Sequence, residues 1–154
     1  MPDHAFLEKV VVHLADRKLL KGYMDMAESV AGANIICNGH SVPEQIEMEL
    51  VSGGRASIDL RSAKALFFVK EFDGQPQYSD LRFFRRTPEF AGLWVRVRFH
   101  DDELAEGLVQ NSLDFLLNRG FLMKPSDPRS NNRFIYALKS AIAGFEVLGL
   151  RNEY

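Results

Sequence analysis

Apolar and polar positions alternate along most of this chain with a period of two, the signature of strands with two unlike faces. Lys9-Val10-Val11-Val12-His13-Leu14 opens the pattern, with Val10, Val12 and Leu14 on one face. Ala15-Asp16-Arg17 reads as a tight turn and Lys18 to Met24 as the returning strand. Residues 25–45 are irregular, with a short strand expected at Ala33 to Cys37 and a turn at Asn38-Gly39. Ile46-Glu47-Met48-Glu49-Leu50-Val51 alternates strictly, so one of its faces is expected in water. Ser52-Gly53-Gly54 turns the chain and Arg55 to Leu60 brings it back. A short turn over residues 2–8 with Asp3 as its cap is also expected.

The pattern then repeats. Leu60-Arg61-Ser62-Ala63-Lys64-Ala65-Leu66-Phe67-Phe68-Val69 returns as Leu138-Lys139-Ser140-Ala141-Ile142-Ala143-Gly144-Phe145-Glu146-Val147, at an offset of 78. Trp94 to Phe99 aligns with residues 9–14, and Gly107 with Gly22, at an offset of 85. The first copy therefore has about seven extra residues, placed in the 25–45 region. Residues 119–124 and 132–137 supply the third and fourth strands of the second copy. Closely spaced turns and no long helical pattern predict an all-β protein: two tandem small five-stranded barrels related by internal duplication. The units are residues 8–70 and 93–149, joined by an aromatic-rich connector, 71–92, punctuated by Asp73-Gly74, Pro76 and Pro88. Five-stranded barrels leave edges, so self-association or a protein partner at those edges is expected.

The order of hairpin, variable middle, two strands, one-turn corner and closing strand resembles the Sm-like barrel of Sm, Sm-like and Hfq proteins. The likeness is sharpest from Phe134-Ile135-Tyr136 through Lys139-Ser140-Ala141 to Val147, and in the Val97 to Gly107 hairpin with its acidic turn. The chain is also similar to an uncharacterised bacterial family that carries a Pro-Ser-Asp-Pro loop followed by Asn-Asn-Arg, here Pro125 to Arg133. The resemblance implies joining through fourth and fifth strands, by a pseudo-two-fold or ring-like edge, and in some relatives RNA binding. The Lys-His pair of RNA-binding corners is replaced here by Lys139-Ser140.

Composition narrows the function classes. The apolar share of 46% and the charged share of 26% belong to a globular protein, and twelve Phe give its core a large apolar content. A net charge of −2 offers no general attraction to nucleic acid or anionic lipid. Residues 1–77 carry 8 basic against 11 acidic side chains and residues 78–154 carry 11 against 10, too even a split to name a partner. One cysteine allows no internal disulfide, and the first residues have no basic-then-apolar pattern. The expected setting is the cytoplasm, away from membranes.

Candidate chemistry is sparse. The loop from Lys124 to Arg133 is the densest polar stretch, and Ser126, Asp127, Arg129, Asn131, Asn132 and Arg133 form a candidate anion site. The competing reading makes Asp127 and Asn131 caps of their own backbone. Arg82, Arg85 and Arg86 interleave with Phe83 and Phe84, a pattern suited to single-stranded nucleic acid, or to a connector with docked aromatics and solvated arginines. Arg82 and Arg86 also match half of the PilZ signature for cyclic di-GMP, whose other half is missing. Asp101-Asp102-Glu103 is either a hard-cation site or a solvated turn. Cys37 near His40 is the one pair with nucleophile chemistry, and it lacks a third group. The four His are scattered, so no metal and no cofactor are expected. The chain reads as a non-enzymatic interaction or regulatory module, with an RNA- or nucleotide-binding protein as the alternative.

Overall fold

The computed structural model describes residues 7–25, 44–72, 92–110, 118–127 and 129–151. The expected turn cap at Asp3, the strand at residues 33–37, the Cys37/His40 pair, most of the connector and Arg82, Arg85 and Arg86 lie outside them. Among the described residues ten strands follow in chain order: β1 (Leu7–Leu14), β2 (Leu19–Asp25), β3 (Gln45–Leu50), β4 (Arg55–Asp59), β5 (Ala63–Val69), β6 (Gly92–Phe99), β7 (Leu104–Gln110), β8 (Gly120–Pro125), β9 (Asn132–Leu138) and β10 (Ile142–Arg151). They form one antiparallel sheet in the order β10-β6-β7-β8-β9-β5-β1-β2-β3-β4. The protein is all-β, as the alternation predicts. In place of two separate barrels, hydrogen bonds run continuously from one half into the other, because β5 pairs with β9.

The two halves share one strand order, fifth-first-second-third-fourth. Local chemistry repeats with it. The β1–β2 and β6–β7 turns place Arg17 and Asp102 in the left-handed region, at φ 71° and 70°. In each, an aspartate accepts from a backbone N–H two residues on, Asp16 from Lys18 and Asp101 from Glu103. Gly22 and Gly107 sit where β2 crosses β3 and β7 crosses β8. A side chain on either would run into the carbonyl of Glu49 or Lys124 and into Met48 or Met123.

The structure corrects one alignment. The Ala15 N–H bonds the Ser62 carbonyl, and the His100 N–H bonds the Ala141 carbonyl. Val12 lies opposite Leu66, and Val97 opposite Phe145. The 3-10 corners are Leu60–Ser62 and Lys139–Ala141. Ala141 stands 79 residues after Ser62, so the repeated motif, matched at 78, is slipped by one. Strand period is two, so that slip exchanges the faces. Phe145 takes the place of Leu66, and Phe67 is matched by Glu146. The inserted residues do fall between β2 and β3. There are ten of them, since Leu50 and Pro125 face the paired glycines 75 apart while those glycines are 85 apart. The second half regains four between β8 and its corner.

Two cores lie on opposite faces of the central strands. One gathers Val10, Val12, Met24, Ile46, Met48, Leu66 and Phe68 of the first half with Leu122, Phe134, Tyr136 and Leu138 of the second. The other gathers Val95, Val97, Phe99, Phe121 and Met123 of the second half with Val11, Ala65, Phe67 and Val69 of the first. Alternate residues of β5 and β9 thus enter different cores, and all seven side chains of β5 are buried. Each half fills its own inner face and lays an outer face against the other.

Candidate functional site

Polar groups fasten this junction at both ends of β5. At one end the Lys64 ammonium, its side chain only 8% exposed, donates to Asp101 at 2.7 Å and to Glu103 at 2.6 Å. It also stands 4.8 Å from the centre of the Phe99 ring, a cation–π distance. The hydrogen bond from Lys64 holds the Asp101 carboxyl below its usual range. The acidic turn is therefore committed to a lysine of the other half. Among the described residues no His, Cys, Asp and Glu cluster is arranged to hold a metal ion.

At the other end lies the polar loop. Arg133 donates to Glu8 at 3.1 Å, with side chains 8% and 5% exposed. Asn131 donates to the Glu71 carbonyl and accepts from the Glu71 N–H, while its own carbonyl accepts from Lys70. Asp127 accepts from the N–H groups of Arg129 and Ser130. Ser126 donates to the Glu106 carbonyl, and the Ser130 hydroxyl accepts from the Asn132 N–H. The six candidate residues are thus close in space, with the contacts of Asn131 and Arg133 directed inward and those of Ser126 and Asp127 made at the surface. They staple the loop to itself and to the first half.

Sequence reasoning missed two features. The first is a cleft of about 420 Å³ between the β1–β2 and β6–β7 turns and the two corners. His13, Arg17, Lys64, His100, Glu103 and Ser140 reach it. His13 packs against Phe67 with the rings tilted at 49° and their centres 4.3 Å apart. Burial lowers the His13 pKa and the Lys64 charge lowers it further, against smaller opposing effects of Glu103 and Asp101. The side chains of Arg17 and His100 make no hydrogen bond or ion pair among the described residues. Lys64, the one charge in an apolar strand, was the available signal. The scattered histidines gave none, since His13 and His100 meet only through the fold.

The second feature is β10, an outermost strand. Leu66 and Phe68 of β5 are fully buried, whereas their counterparts Phe145 and Val147 are 40% and 53% exposed. Phe145 reaches inward to an edge-to-face contact with Phe121, ring centres 5.9 Å apart, and Leu150 further along is open to water. The difference lies in the neighbour. Strand β9 sets Phe134 and Tyr136 beside Phe68 and Leu66, and no described strand does this for β10.

A model of the DUF6982 family, a family of unknown function, matches residues 7–149, so the chain belongs to that family. No curated protein and no solved structure matches it.

Proposed function

We propose that this protein is a non-enzymatic interaction module, two fused Sm-like five-stranded units, that receives an extended strand along β10. The Sm-like part of the reading is supported by the shared fifth-first-second-third-fourth strand order and by a fifth-to-fourth strand junction. The interaction part rests on one observation: inner-face residues Phe145 and Val147 are exposed where Leu66 and Phe68 are sealed by a neighbouring strand. An exposed apolar edge strand is a template for strand addition. Peptide-display selection on the full chain tests it. Selected peptides should carry apolar residues at alternate positions, and should lose binding to a Val147→Lys variant while keeping it for Ser57→Lys on β4. Binders indifferent to both substitutions would remove β10 as the docking edge. A cytoplasmic setting belongs to this reading.

A second reading, a nucleotide- or RNA-binding protein, is favoured by the cleft alone. Arg17, His13 and His100 converge beside Phe99 in a space large enough for a small anionic ligand. Titration with cyclic dinucleotides and short RNA at low salt tests it. Binding should weaken on Arg17→Ala, and an absence of binding removes the reading.

A further inference from the structure

The strand-docking reading leaves open what occupies β10, and we infer that the occupant is β10 of a second copy, giving an isologous dimer. The inference rests on that reading and follows from the outer faces of the two halves.

Inside the chain β5 is completed by β9, which offers Phe134, Tyr136 and Leu138. Extending that arrangement into a ring would place β4 of another copy beside β10. The equivalent positions on β4 are Arg55, Ser57 and Asp59. Arg55 is paired with Glu47 at 3.3 Å and Arg61 with Asp59 at 2.8 Å, all in exposed or half-exposed settings. Ring contact would desolvate these charges against Phe145 and Val147, at a cost that their partial pairing does not recover. The other side of such a contact fails likewise. Val11 and Phe67, the outer-face residues of β1 and β5, are matched by Arg96 and Glu146. These hold each other across a 3.5 Å ion pair at the surface. The internal junction is therefore chemically unlike either outermost strand, and the chain is not built to polymerise head to tail.

β10 does match itself. A two-fold axis perpendicular to the sheet pairs the strand antiparallel with its copy and keeps each face on its own side. Phe145 and Val147 of one protomer then lie beside those of its partner, apolar against apolar. On the opposite face Glu146 of one copy comes beside Glu146 of the other, each in water and each held by its own Arg96 at 3.5 Å. Two ten-stranded sheets become one continuous sheet, and closure at two uses up the exposed edge.

Sedimentation velocity of the full chain over a wide concentration range tests this. The expected result is a monomer–dimer equilibrium. Val147→Lys should raise the dimer dissociation constant at least about tenfold, the cost of truncating a central contact, and Ser57→Lys should leave it unchanged. Larger rings or open chains sensitive to Ser57→Lys would overturn the inference, as would a dimer indifferent to Val147→Lys. A monomer at every concentration that still binds display-selected peptides at β10 sinks the second copy as occupant and leaves strand docking standing. A monomer without such binding sinks both.

Discussion

Strands β5 and β10 close the two halves in the same way and meet different fates. Both follow a one-turn corner, both pair with the first strand of their half, and both point apolar side chains at the same inner positions. β5 is buried on both faces; β10 leaves Phe145 and Val147 open and carries Gly144 and Glu146 outward. Inner faces are filled by each half alone, whereas outer faces depend on what the other half covers. Val11, Ala65 and Phe67 are apolar because the second half lies on them; Arg96, Gly144 and Glu146 are their counterparts in the open. The same holds in reverse for Leu122, Phe134 and Tyr136 against Glu47, Arg55 and Ser57.

Substitution at matched positions breaks this comparison most sharply. Phe68→Ala should cost about 3–5 kcal/mol of unfolding free energy, as for a large side chain removed from a sealed core. Val147→Ala at the counterpart position should stay within about 0.5 kcal/mol in the monomer. Denaturant melts at low protein concentration read both, and equal costs would mean that β10 is as enclosed as β5. Next comes the clamp that holds the halves. Arg133→Met keeps the bulk but removes the guanidinium 3.1 Å from the buried Glu8 carboxylate, so a loss of roughly 3 kcal/mol is expected by the same melts.

Smaller effects probe the buried seam. Tyr136 is nearly fully buried, its hydroxyl has no hydrogen-bond partner among the described residues, and burial pushes its pKa up to about 12. Tyr136→Phe removes an unsatisfied polar group and should leave stability unchanged or raise it by up to about 1 kcal/mol. The effect of pH at His13 is the smallest. Its counterpart Arg98 lies exposed and paired with Asp102, but His13 is half-buried facing Lys64, Glu103 and Asp101. Its folded pKa lies below the ordinary 6.5, so between the two values the unfolded chain binds more protons. That contribution to stability is complete above pH 6.5 and declines as pH falls toward the folded value. Melting temperature followed from pH 7 down to pH 5 should show a shallower decline for His13→Gln than for the wild type.

The sequence by itself determined the strands, the hairpins, the corners and the inner faces of strands such as β1 and β3. These rest on near neighbours: alternation at Ile46-Glu47-Met48-Glu49, aspartates that cap turns two residues on, glycines at strand crossings. It also held a clue to double burial, since Ala65 to Val69 is apolar without a break. The tertiary structure alone decided the register in which the two halves match, the pairing of β5 with β9, the cleft that joins His13 to His100, and the inward duty of Arg133. Alternation says which residues share a face but not whether that face is covered, and a slip from 79 to 78 preserves the letters while reversing every side chain. Covering a face takes residues more than sixty positions away, and only the folded chain brings them there.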